Sequence, residues 1–410
     1  MSQDLANERQ TGQAQRLPAL DVLRGIALFG ILVVNFQFFA YPEGGFATPD
    51  GKGPAGSLDQ IIRFVVQFLF DGKFILIFAF LFGWGLQSQI DRGAAFLPRY
   101  YRRMAGLFLI GLMHAVFLFA GDILVTYAIL GLLLLTMRNW PARRLLLAAL
   151  LFWALSIAGH ACVGILVDAS PKLSGSEYDA LVVLHQSGSF AEIMRHRIVD
   201  LIGLYAVTPL LFAPQVMGMF VTGLACAKHF PQAGFDGARP AARRLLGWFI
   251  IPALAANAAY AGMAVWGDAT ETLTMVMRGV AAPMLTLVYL ASALLLLTND
   301  RIAGPSRIFT GDGRLSLSIY IGESVLMNVL FFGFGLYDKV SYALGMLICI
   351  GVYALLSLAG SIWLRWFRLG PMEWMLRSIT EAKFLPMLVE AKTKGMAPTR
   401  QPSTPRSNPR

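Results

Sequence analysis

The chain has 410 residues, 56% of them hydrophobic and only 14% charged, with a mean hydropathy of +0.60. A soluble domain carries about 25% charge, so a water-soluble fold is excluded and an all-α, polytopic membrane protein is expected. The formal charge of +10 falls between apolar runs, which excludes nucleic acid as a partner. The three thiols Cys162, Cys226 and Cys349 are scattered in or beside such runs, which excludes a disulfide framework or a zinc site; no metal is expected.

Residues 1–18 are mixed polar, and no small-residue cleavage site follows the first apolar run. They are expected to form a cytoplasmic tail, with the run retained as a signal anchor. That run opens with Leu20-Asp21-Val22-Leu23-Arg24-Gly25-Ile26-Ala27 and reaches Phe39. Charge at the end of a membrane helix is costly unless it snorkels or has a use. Arg24 and Asn35 are close to three helical turns apart, so they share one face about 16 Å apart along the axis.

Helices of roughly 20 residues are predicted over 20–40, 74–90, 104–120, 123–137, 145–167, 199–227, 245–266, 274–297, 315–335 and 340–366. About ten such spans form a single transmembrane domain over 19–380. The apolar stretch 58–70 is too short to cross and is read as an interfacial or re-entrant helix. Residues 381–410, rich in Pro, Lys, Arg, Ser and Thr, are expected to be a disordered basic tail. Arg92, Arg99, Arg102 and Arg103, then Arg138, Arg143 and Arg144, then Lys228, Arg239, Arg243 and Arg244, then Arg301, Arg307 and Arg314, all fall on the side shared by both termini. The positive-inside bias therefore places both termini in the cytoplasm. The loops 41–73 and 168–200 are expected outside.

Several polar residues fall inside or at the lips of these spans. His114 is either a general base, since an intramembrane ionisable group is by default a functional candidate, or a helix-packing hydrogen bonder; His160 favours the second role. Asp122, in the turn Gly121-Asp122, either caps the next helix or orients His114. Were 108–122 one straight helix, the two would stand about 12 Å apart, so contact requires the chain to turn back at Gly121. Glu323, beside Ser324, needs a cation or a proton if buried, and Arg278 is the candidate partner unless it snorkels. Lys73 is expected at the outer lip, where it can meet an anion. Gly83-Trp84-Gly85 reads as close helix packing. Zinc-protease, phosphate-loop, nucleophile-elbow and dinucleotide motifs are all absent.

Asp21-Val22-Leu23-Arg24-Gly25-Ile26-Ala27, Gly72-Lys73-Phe74, Leu81-Phe82-Gly83-Trp84-Gly85, His114 with Gly121-Asp122-Ile123-Leu124, Gly313-Arg314-Leu315-Ser316-Leu317-Ser318-Ile319-Tyr320 and Gly370-Pro371-Met372-Glu373-Trp374 occur in that order. Together they resemble the YeiB-like family of bacterial inner-membrane proteins. The first span also resembles that of transmembrane acyltransferases such as heparan-α-glucosaminide N-acetyltransferase. That second resemblance implies transfer of an acyl group from cytoplasmic acyl-CoA, as co-substrate, to a small-molecule or glycan acceptor or a membrane lipid. Many of those enzymes place a histidine where this chain has Asn35, so the expected base is His114. Asp122 would orient it, Asn35 would stabilise the oxyanion, and Arg24 and Arg103 would hold the CoA phosphates. Asp21, Lys73, Arg278, Glu323 and Ser324 are expected as substrate-contacting or structural polar groups. A transporter or exporter is the other reading, and a homo-oligomer is left open.

Overall fold

The computed structural model describes residues 18–42, 56–91, 93, 96–230, 235–267, 269–297, 306 and 308–388. The architecture is all-α: among the described residues the one β interaction is an isolated antiparallel bridge between Phe367 and Leu388. The helices are α1 Pro18–Ala40, α2 Ser57–Leu69, α3 Lys73–Ile90, α4 Phe96–Phe117, α5 Leu124–Thr136, α6 Ala142–Ala169 and α7 Gly175–Ser187. They continue with α8 Phe190–His229, α9 Arg239–Trp266, α10 Glu271–Leu297, α11 Ile308–Arg314, α12 Ser316–Asn328, α13 Tyr342–Trp363 and α14 Pro371–Glu381. A π turn over Val329–Gly333 prolongs α12.

Among the described residues, eight stretches are long and apolar enough to cross a bilayer: α1, α2 with α3, α6, α8, α9, α10, α12 with its π turn, and α13. Two helices expected as spans are not among these eight. α4 spans 22 residues but opens with Arg99, Arg102 and Arg103, which lower its apolarity. α5 is apolar throughout but only 13 residues long.

Two expectations need correction. The stretch 168–200 is largely helical, not a loop. Ser174 with Glu177 and Ser189 with Glu192 form capping boxes that start α7 and α8, each satisfying two orphan N–H groups. At 40 residues, α8 is about 60 Å long, twice an apolar layer of about 30 Å. Its N-terminal part therefore stands clear of that layer. The polar C-terminal tail also begins later than expected. Arg368 N donates to Met387 O at 2.9 Å and Trp374 Nε1 to Leu385 O at 2.8 Å, which ties 382–388 onto α14. The expected N-terminal tail up to residue 17, and residues 389–410, lie outside the described residues.

Helix ends sort into two layers. At the basic end, Arg99 pairs with Glu381 at 3.0 Å and Arg102 Nε donates to Thr380 O, so α14 lies against the start of α4. There the Glu373 carboxylate caps α12, accepting from Leu317 N and Ser318 N. At the opposite end, Asp168 accepts from Glu271 N and Thr272 N, and Asp59 accepts from Ala343 N. One apolar core joins α3, α4, α5 and α8, and a second joins α1, α12 and α13. The polar groups below lie in and beside these cores.

Candidate functional site: a buried histidine, aspartate and serine

α4 ends one turn past His114. Leu118 N and Phe119 N both donate to His114 O at 2.9 Å, the second bond widening the last turn, and the chain reverses through Gly121 and Asp122. That reversal brings Asp122 back onto the helix: His114 Nδ1 lies 2.8 Å from Asp122 Oδ2. The other carboxylate oxygen accepts from Val125 N at 3.0 Å, in the first turn of α5. Asp122 thereby ties His114 to the first turn of α5, while the N-cap position itself is Ile123.

The second imidazole nitrogen faces a residue 210 positions away. His114 Nε2 lies 2.8 Å from Ser324 Oγ, on α12. A carboxylate accepts only, so Nδ1–H donates to Asp122, and in the neutral imidazole Nε2 accepts from the serine hydroxyl. His114, Asp122 and Ser324 are 2%, 6% and 3% exposed, so solvent does not compete for these bonds. The Tyr320 ring, one turn before Ser324, sits 4.8 Å from the imidazole. Toward the lip, Asn328 Nδ2 donates to Leu118 O at 2.8 Å. Arg197, from the N-terminal part of α8, donates to Phe117 O and to Asn328 Oδ1. The exposed carbonyls at the end of α4 are thereby capped.

Gly111 makes this approach sterically feasible. A Cβ there would lie 2.7 Å from Val125 N and 2.8 Å from Asp122 Oδ1. Gly111→Ala is therefore expected to push the Asp122 turn off α4, costing about 1–3 kcal/mol as overpacking. Gly85→Ala, where a Cβ meets nothing within 4 Å, is the control. Thermal unfolding of the two variants in detergent checks the difference; equal melting temperatures would contradict it.

A second polar cluster sits where α2 meets α3. The helix breaks at Phe70, Asp71 and Gly72, with Gly72 at φ 76°, a left-handed backbone that glycine adopts without strain. Tyr289 OH donates to Leu69 O and Thr286 Oγ1 to Lys73 O, which places the break beside the middle of α10. Arg278 grips Asp71 with two bonds, Nε to Oδ2 at 2.7 Å and a terminal nitrogen to Oδ1 at 3.0 Å. Tyr260 OH bridges Asp71 and Gln67, while Lys73 Nζ donates to Gln67 O at 2.7 Å and lies over the Tyr260 ring. Two expectations are corrected here. Arg278 pairs with Asp71, not Glu323, and Lys73 is fully buried rather than at the lip. Burial of the pair is tolerable because its geometry is bidentate and the remaining lone pairs are bonded.

The remaining sequence candidates stand apart. Glu323 is buried beside Ser324, and its Oε1 has no hydrogen-bond partner among the described residues. Asn35 is partly buried one turn before Phe39, whose ring stacks on Phe119 at 4.9 Å, but it makes no hydrogen bond to His114 or Ser324. Arg24 is held by Asp21 at 2.7 Å. Arg103 is partly buried on α4, about three turns from His114. A cleft of about 620 Å³ opens at the basic end, lined by Gln87, Asp91, Arg138 and Lys228 among others. Sequence reading missed Tyr260, Gln67, Asn328 and Arg197. Single polar residues in apolar runs were the available signal for the first three.

A family model described as protein of unknown function (DUF418) matches residues 235–383, which include Arg278 and Ser324. The chain is 31% identical to the uncharacterized protein YxaH of Bacillus subtilis, with 92% of this chain and 97% of that protein covered. It is 24% identical to the uncharacterized protein YeiB of Escherichia coli, over 89% and 96%, and 26% identical to a protein from the amylase 3′ region of Bacillus acidopullulyticus, over 92% and 97%. The chain belongs to this family, a family of multi-helix membrane proteins of unknown function.

Proposed function

We propose that this family member is a membrane-embedded acyltransferase that takes an acyl group from cytoplasmic acyl-CoA and delivers it to a glycan, lipid or small-metabolite acceptor at or across the membrane. The observation that carries this reading is the hydrogen-bonded order Asp122, His114, Ser324 inside the helical bundle. Acyl transfer from a thioester needs a base for the incoming hydroxyl or amine. His114 offers an oriented Nε2 lone pair, and Asp122 stabilises the imidazolium that forms. Asn35, in this reading, moves against the substrate carbonyl to donate to the oxyanion.

Arg24 and Arg103 are assigned to the phosphates of the donor. A guanidinium binds phosphate through two parallel bonds, and the basic loops steer an anion toward that face. Calorimetry on purified protein tests this. Arg24→Ala is expected to abolish acyl-CoA binding and Arg24→Lys to restore it only in part, because an ammonium lacks the planar fork. Undiminished binding by Arg24→Ala would remove Arg24 from the donor site.

The proposed address is the bacterial inner membrane, with both termini cytoplasmic. A helical bundle suits that membrane, whereas outer-membrane spans are β-barrels. The positive-inside rule sets the orientation. In a background lacking the native cysteines, a cysteine at position 121 is expected to react with impermeant maleimide from the periplasmic side. Labelling from the cytoplasm alone would overturn the orientation and the proposed acceptor side together.

A transporter is the second reading, and the broken helix at Asp71 to Lys73 favours it. Discontinuous spans with buried charges at the membrane midplane form the substrate sites of many transporters. Acyl transfer is preferred because the His114 site has the order of groups that chemistry requires. At the helix break, Asp71 and Arg278 are already engaged with each other.

A further inference from the structure

We propose that Ser324 is a nucleophile that carries the acyl group as a covalent ester between donor and acceptor; this rests on the acyl-transfer reading above. The hydroxyl facing the base is the serine's own, with Ser324 Oγ 2.8 Å from His114 Nε2. A base whose lone pair already faces a hydroxyl takes that proton first. The order Asp–His–Ser is the arrangement that activates a serine irrespective of fold.

The aim of the hydroxyl adds weight. A helical serine ordinarily returns its hydrogen bond to the carbonyl four residues back. Ser324 Oγ stands 3.4 Å from Tyr320 O, a long contact, and spends its short bond on the imidazole. The rest of the chain of groups is held as well: Asp122 is fixed by Val125 N, and Asn328 accepts from Arg197 while donating to Ser324 O. Position matters too. Ser324 lies midway along the apolar stretch Ser316–Gly333, so an ester there stands between the two faces of the membrane. Donor and acceptor then never have to occupy the site together.

The chemistry closes without a further reactant. Ser324 Oγ attacks the thioester carbonyl and its proton passes to His114 Nε2. The C–S bond breaks, and coenzyme A leaves as the free thiol with that proton. An acceptor hydroxyl or amine then attacks the Ser324 ester and gives its proton to Nε2. The C–Oγ bond breaks, and the same proton restores the serine hydroxyl.

The test combines two reagents on the full-length protein in detergent. A fluorophosphonate probe reports an activated serine whatever the natural donor is. Acetyl-CoA without acceptor reports acyl-enzyme formation. Peptide mapping by mass spectrometry is expected to place both adducts on Ser324, with a burst of free coenzyme A equal to the protein present. His114→Ala should slow labelling by about 10² to 10⁴, and Ser324→Ala should abolish it with an unchanged melting temperature. Should Ser324→Ala fold poorly, Ser324→Cys replaces it, with adduct formation moving to the thiol. Acetyl transfer by wild type that persists at full rate in Ser324→Ala, without any adduct, would overturn the nucleophile and leave His114-assisted transfer standing. His114-dependent probe labelling of Ser324 without consumption of any acyl-CoA would keep the nucleophile and remove CoA as donor. Neither labelling nor turnover would sink both.

Discussion

His114→Ala is expected to lose acyl transfer by about 10² to 10⁴, the usual cost of removing a general base, while inserting and folding as the parent does. The imidazole is buried and bonded at both nitrogens, so its loss takes one bond from each of Asp122 and Ser324. Each retains another bond: Asp122 still accepts from Val125 N, and Ser324 still reaches Tyr320 O. The fold penalty should therefore be modest. Asp122→Asn should cost less activity than His114→Ala, since it disturbs the orientation of the base without removing it. Turnover per folded molecule, measured beside the melting temperature, separates the two effects. A fall in yield and melting temperature with full specific activity would make His114 a packing residue.

The largest effect on stability should come from the other cluster. Asp71→Ala leaves the part-buried Arg278 guanidinium without its carboxylate and strips Tyr260 OH of one acceptor. Breaking one side of a buried ion pair costs about 3–5 kcal/mol, against little for a surface pair. Replacing both partners, Asp71→Leu with Arg278→Met, should recover most of that loss, because no uncompensated charge then remains. Chemical unfolding in mixed micelles checks the series. A single variant as stable as wild type would show that the charge reaches water, contrary to the burial of Asp71 and Lys73.

The sequence carried depth well and azimuth poorly. Apolar length placed the spans, because a helix must cross a layer of fixed thickness. His114, Asp122 and Ser324 were each visible as polar residues in apolar surroundings. What joins them was not. The distance between His114 and Asp122 depends on α4 ending at Phe117, three residues before the predicted end at 120. Ser324 comes from a helix 210 positions away, and no periodicity reports which faces of two distant helices meet. The same blindness paired Arg278 with Glu323. Both were placed by depth, yet Arg278 faces the α2–α3 break. The helices within 168–200 were legible and passed over: Ser174-x-x-Glu177 and Ser189-x-x-Glu192 are capping-box patterns, hidden by polar composition that resembled a loop.

The central claim is that acyl groups leave coenzyme A at this protein's His114 site and end on an acceptor. Its most direct test follows radiolabelled acetyl-CoA supplied to the cytoplasmic face of inverted membrane vesicles containing wild type or His114→Ala. Wild type is predicted to release free coenzyme A and move label into an organic- or glycan-bound product, with His114→Ala at the background of empty vesicles. Label that stays on coenzyme A in wild-type vesicles, across short and long acyl chains, would contradict the account and leave the buried charges at the α2–α3 break to explain the protein as a transporter.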